Sequence, residues 1–245
     1  MLKLRDKFGA LPVYTKLLLL LSVLFFLSEC VFGYYAQTLG GREWSVVAYI
    51  SIVLACLFCA LFAERSCEYL FTQLALVCTV CADFFLVYSD DGDKLAAMIF
   101  FSGTQIFYFL RLLFKTERGV FRTVHIATRI AVSIIAVILT LLVLGEGADA
   151  LSVVSVFYYA HLILNLVFAF ITKGETPIFA IGLLLFLGCD TFVGFAMLDG
   201  YLPIAEGSLI DRLNSIPLNM AWVFYTPSQT LLALSLLPKR LRKKA

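Results

Sequence analysis

Residues 74–88 read LALVCTVCADFFLVY, and they set one carboxylate, Asp83, in the middle of an apolar helical run. A second stretch does the same far downstream: residues 183–195, LLLFLGCDTFVGF, carry Asp190. A charged side chain at the centre of a bilayer costs at least ~2.5–3.5 kcal/mol even on the most lenient scale. Two such residues in two look-alike segments point to use. The rest of the chain supplies the bilayer setting. Of its 245 residues, 62% are hydrophobic and 15% charged, with a mean hydropathy of +0.96. Soluble domains run near ~45–50% apolar and ~25% charged. The composition is that of an integral membrane protein.

A spanning helix needs about 20 mainly apolar residues. Eight stretches qualify: 14–34, 44–62, 69–88, 95–114, 124–144, 151–171, 177–198 and 218–237. The expected fold is therefore all-α, a polytopic bundle of about eight transmembrane helices forming one domain over residues 1–245. The first stretch has the basic flank of a signal peptide (Lys3, Arg5, Lys7, Lys16). It lacks a small-x-small cleavage site after its core, so it is read as a retained span. With both termini in the cytoplasm, all but Arg42, Lys94 and Arg212 of the 19 Lys and Arg residues fall on the cytoplasmic side, as the positive-inside rule asks. The expected location is the cell membrane. The basic segments 111–129 and 239–244 read as topology signal with a weak pull on anionic headgroups, and no nucleic-acid partner is expected. The longest connection, 199–217, either caps the far mouth of the bundle or is a plain loop.

A weak internal repeat relates Asp83 to Asp190 and Gln105 to Gln229, with QIFYFLRLLFK after the first glutamine and QTLLALSLLPK after the second. A four-plus-four duplication would keep the two halves in the same orientation. The seven cysteines include CxxC pairs at Cys56 and Cys59 and at Cys78 and Cys81. Inside apolar helices they read as small buried hydrophobes.

Polar side chains within spans seek protein partners or a wet cavity. Ser155, Tyr158, His161 and Asn165 share one helix face, as do Ser102, Gln105 and Tyr108, and Trp222, Tyr225 and Gln229. At ~1.5 Å per residue, Asp83 and Asp190 both lie ~20 Å above the cytoplasmic end. Gln105, His161 and Gln229 lie ~15–16 Å in from the far side. These five are expected to line one cavity, with Tyr108, Tyr158, Asn165 and Tyr225 adding substrate-binding groups. Glu29 is a possible third carboxylate whose expected role is interfacial.

Carboxylates that approach one another in an apolar setting divide their titrations, one keeping its proton while the other ionises. Such a pair serves as general acid beside an electrostatic stabiliser. It suits reactions through an oxocarbenium-like cation, such as the cleavage of glycosidic bonds or enol ethers. There is no GxSxG for a serine hydrolase and no HExxH for zinc. No metal or other cofactor is expected.

The residues Ala82 and Asp83 followed by FFLVY, the segment FSGTQIFY (101–108), Cys189 and Asp190 followed by TFVGF, and YTPSQ (225–229) make the chain resemble the YhhN/TMEM86 lysoplasmalogenase family. The resemblance implies a hydrolase that cleaves the vinyl-ether bond of a lysoplasmalogen to a fatty aldehyde and a glycerophospho-alcohol. It implies Asp83 and Asp190 as the catalytic pair, with a lipid or lysolipid as substrate. Three positions depart from the family pattern: the Lys-Pro often found near the second span is missing, Gln105 stands where a His is usual, and Ala82 replaces Gly. Two other readings of paired membrane carboxylates stand beside it. One is a proton- or cation-coupled transporter. The other is a non-catalytic membrane partner or sensor.

Overall fold

The computed structural model describes residues 13–38, 42–87, 93–116, 119–216 and 219–236, and among these every regular element is helical. In chain order they are α1 (Val13–Thr38), α2 (Arg42–Phe62), α3 (Cys67–Val87), α4 (Lys94–Lys115), α5 (Val120–Leu144), α6 (Ala150–Ile171), α7 (Pro177–Leu198), the short α8 (Leu209–Asn214) and α9 (Met220–Leu234). A 3₁₀ turn, Gly145–Gly147, joins α5 to α6.

Local sequence explains where the helices begin. The Asp93 carboxylate accepts the Ala96 N–H at 2.9 Å and starts α4. Asp149 and Ser152 form a reciprocal capping box at the head of α6. Thr176 caps α7, and Pro177 occupies its first turn, where a missing N–H costs nothing. Each cap satisfies donors that the helix itself leaves open.

Each of the eight stretches expected to span the membrane holds a helix. Five of these helices, α3 to α7, are long and apolar enough to cross a bilayer. The protein is thus a multi-pass helical membrane protein. The expected last span differs: α9 has 15 residues, only ~22 Å at helical rise against a ~30 Å hydrocarbon core. Pro227 lies inside it. The basic termini (Lys3, Arg5, Lys7 and 239–244), with Asp90, Asp91, Arg118 and Pro217, lie outside the described residues.

The bundle is built on two close helix pairs, α3 with α4 and α7 with α9. Helix α6 packs between α4 and α7, α5 lies against α6, and α1 with α2 pack on α9. Ala75, Ala82 and Ala97 are fully buried, and such small side chains let α3 and α4 approach closely. Gly182 does the same for α7 and α9. A Cβ there would sit 2.9 Å from Leu232 Cγ and 3.2 Å from the Leu232 backbone nitrogen. Ser228 donates to the Gly182 carbonyl at 2.8 Å across the same contact. Phe101, Leu162, Phe179, Leu183, Phe186 and Leu232 fill the centre. The outside is apolar instead of polar: Leu61 is 74% exposed, Leu142 74% and Phe170 63%. That is a lipid-facing surface, since soluble monomers rarely expose large apolar patches. Cys59 and Cys189 are buried, Cys56, Cys78 and Cys81 half-buried, and all seven cysteines are free.

Candidate active site

Asp83 lies one turn before the end of α3 and is almost fully buried. Tyr225, on α9, donates its hydroxyl to both carboxylate oxygens, at 2.9 and 2.8 Å. Asp190, on α7, accepts from the Tyr158 hydroxyl of α6. Each acid is thus held by a tyrosine from another helix. Phe186 joins the two pairs, with its ring centre 5.7 Å from Tyr225 and 6.4 Å from Tyr158. Tyr159 and Thr191 bond hydroxyl to hydroxyl at 2.7 Å between α6 and α7.

Both aspartates and both tyrosines open on one cavity of about 960 Å³. The volume sits at the top of the ~300–1,000 Å³ range of small-molecule sites. Its walls are mainly apolar. Met98 and Phe101 come from α4, Leu139 and Val143 from α5, Val156 from α6 and Trp222 from α9. Tyr201, Leu202, Leu213, Asn214 and Ile216 also line it. The long connection therefore forms part of the outer wall instead of a detached loop. A second cavity, of about 590 Å³, adjoins the first and shares Lys94, Leu151, Ala196, Met197 and Tyr201 with it.

The expected single cavity does not hold every polar residue assigned to it. Gln105, His161 and Gln229 do not line it, and neither do Tyr108 and Asn165. Tyr108 is fully buried edge-on to Phe179, 5.4 Å between ring centres. Gln229 is fully buried in α9. The polar face of α6 serves two places: Ser155 and Tyr158 reach the cavity, while His161 and Asn165 turn to a cluster below it.

That cluster is centred on Arg129 of α5, the last residue of the basic segment 111–129. It is buried. Its guanidinium meets His125 Nε2 at 3.4 and 3.3 Å, His161 Nδ1 at 3.2 Å and Asn165 Oδ1 at 2.6 Å. Arginine can only donate, so both imidazoles accept at those nitrogens and carry their protons on the others. His161 then donates from Nε2 to Ser133 Oγ at 2.9 Å, and Ser133 donates to the Arg129 carbonyl at 2.7 Å. Asn165 passes the network on to the Gln105 carbonyl and side-chain oxygen, at 2.9 and 2.8 Å. The Phe109 ring closes one side, 4.5 Å from the guanidinium carbon. A signal was present in the chain: His125, Arg129 and Ser133 recur every four residues within the largely apolar stretch 124–144.

Arg111, read from the sequence as part of the cytoplasmic topology signal, is a second basic residue that turns inward. It is fully buried at the end of the bundle opposite the cavity. It pairs with Glu175 at 2.8 Å and donates to Thr72 and Ser235, both at 2.8 Å. Lys115 adds contacts to Glu175 at 3.0 Å and Glu68 at 2.8 Å. Burial alone would push the Glu175 carboxyl up, but Arg111, Lys115 and the bonds they make outweigh it and hold it below its ordinary value of 4.5. Glu29 is buried as well, and it accepts a hydrogen bond from Ser51. It is an interior group, where an interfacial one was expected.

No curated protein and no solved structure matches the chain. The model of the YhhN family matches residues 62–236, well over half of the sequence. That range contains Asp83, Asp190, their two tyrosines, the whole cavity lining and the Arg129 cluster. With both acids brought to one chamber inside the matched region, the chain belongs to the YhhN family.

Proposed function

We propose that the protein is a lysoplasmalogenase-like hydrolase, cleaving the vinyl-ether bond of a membrane lysolipid. The observation that carries this reading is the joint opening of Asp83 and Asp190 on one largely apolar cavity, each held by a tyrosine. One carboxyl delivers a proton to the vinyl carbon remote from the ether oxygen, and the carbon bonded to that oxygen becomes the oxocarbenium centre. The other carboxylate offsets that charge and orients a water molecule. Addition of water gives a hemiacetal, and its C–O bond to glycerol breaks with proton transfer to the leaving oxygen. The products are a fatty aldehyde and a glycerophospho-alcohol. Apolar walls exclude stray water and strengthen the electrostatics within. Tyr158 and Tyr225 act as positioning residues. Gln105, His161 and Asn165 serve through the frame around Arg129.

Purified protein is expected to release fatty aldehyde from a lysoplasmalogen. Asp83→Asn or Asp190→Asn should lower turnover by about 10²–10⁴-fold, the usual weight of an acid–base group, with the fold kept. Wild-type protein inert on vinyl-ether lipids would overturn the assignment.

We also propose eight spans with both termini in the cytoplasm of a cell-membrane protein, together with the four-plus-four repeat. The distribution of basic residues supports the topology. The pairing of α3 with α4 and of α7 with α9 supports the repeat. Lys173→Cys and Glu206→Cys, each alone in a background without Cys30 and Cys67, should label from opposite sides of the membrane.

A further inference from the structure

The second cavity holds a different chemistry from the first. Its lining includes one cation, Lys94, and two carboxylates, Asp149 and Asp199, with Tyr201 beside them. Among the described residues, Lys94 is the only basic one that lines either cavity. It forms no ion pair among the described residues. The neighbouring carboxylates are engaged elsewhere: Asp93 accepts from the Ala96 N–H, and Asp149 accepts from the Ser152 N–H at 2.7 Å and from the Tyr201 hydroxyl at 3.1 Å. On α4, Lys94, Met98 and Phe101 follow at spacings of four and three, so they lie along one helix face, and all three line the large cavity. Phe101 packs against Tyr158, 5.7 Å between ring centres, and Tyr158 holds Asp190. Lys94 stands seven positions before Phe101, so the cation starts ~10 Å along the helix from the level of Phe101 and the Tyr158–Asp190 pair it packs beside. The result is a deep apolar chamber with the acids near its base and a rim of one positive and two negative charges.

We propose that this rim is the head-group subsite for a zwitterionic phospho-amine, with Lys94 taking the phosphate and Asp199, assisted by Asp149, taking the ammonium. The subsite rests on the lipid reading of the large cavity but not on vinyl-ether chemistry. It makes Lys94 and Asp199 specificity-determining residues. It also orients the amphiphile, head at the outer rim and glycerol end toward the acids. The chain then runs along Leu139, Val143 and Val156 of α5 and α6, all at least 40% exposed toward lipid or, for Leu139 and Val143, more than half.

The test measures binding to the full-length protein in nanodiscs, using saturated 1-O-alkyl lipids of one chain length that no vinyl-ether hydrolysis can touch. The three probes are a lysophosphoethanolamine, the corresponding lysophosphate and the alkylglycerol. Wild type should bind the phosphoethanolamine most tightly. Lys94→Gln should weaken both phospholipids by about fivefold, the scale of an exposed charge pair, and leave the alkylglycerol unchanged. Lys94→Arg should retain binding. Asp199→Asn should reduce the preference for phosphoethanolamine over bare phosphate. Asp149 is not substituted, because it caps α6. If Lys94→Gln leaves the phospholipids as in wild type, or Asp199→Asn leaves the preference intact, the subsite is wrong. A charge-dependent ladder in a protein that releases no aldehyde would remove the hydrolase reading and keep the subsite. Aldehyde release with a flat ladder would remove the subsite alone.

Discussion

At the scale of single residues, the two acids depend on their tyrosines. Tyr225 shares its one proton between both oxygens of Asp83, and Tyr158 donates its own to one oxygen of Asp190. Tyr225→Phe and Tyr158→Phe keep the rings and their packing on Phe186 while removing the donors. A hydrogen bond to a charged group is worth ~1.5–3 kcal/mol, so kcat should fall by roughly ten- to hundredfold, with little change in KM. Turnover assays of both variants beside the wild type check this; unchanged kcat would mean the tyrosines only pack. The acids themselves were legible in the sequence, because a carboxylate in an apolar run is costly and therefore conspicuous. Arg129 was not. It follows Arg118 and Arg122 closely in the chain, and the partners that hold it, His161, Asn165 and Phe109, come from α6 and α4. The four-residue spacing of His125, Arg129 and Ser133 is the one local sign of burial, and it names no partner across the bundle.

Elements were legible from their apolar length; the caps at Asp93, Asp149 and Thr176 emerge only in the structure. Their lateral pairing was not, because apolar helices carry no address in their composition. The close approach of α7 and α9 rests on Gly182, and a graded series tests it. Gly182→Ala places a methyl against Leu232, including its backbone nitrogen. Overpacking of ~1–3 kcal/mol should exceed the ~1 kcal/mol gained in helix propensity. Gly188→Ala meets only the Phe224 ring, at 3.1 Å, and should cost less. Gly194→Ala meets nothing within 4 Å and should be neutral or slightly stabilising. Thermal unfolding in one detergent ranks the three. Because α7 carries Asp190 and α9 carries Tyr225, Gly182→Ala should also depress turnover without touching either residue.

Across the whole molecule, the ion pairs among the described residues gather at one end and the cavities open at the other. Arg111 connects α3 through Thr72, the α6–α7 connection through Glu175 and the end of α9 through Ser235. Glu175→Gln leaves the guanidinium buried without its counter-charge and should destabilise by ~3–5 kcal/mol. The pH dependence has a definite sign. The Glu175 carboxyl is held below 4.5 in the folded protein, so it favours the fold fully above that value. That contribution drains away as the solution is acidified below 4.5 and the folded carboxyl takes its proton. Unfolding temperatures from pH 7 to pH 3 should show the loss in wild type and a flatter profile in Glu175→Gln. The knot of charges around Arg111 has a mechanical corollary. Helices fastened together at one end can splay only at the other, like the tines of a fork. An amphiphile that wedges them apart would do so where the chamber already opens, and the handle would stay shut against ion leakage.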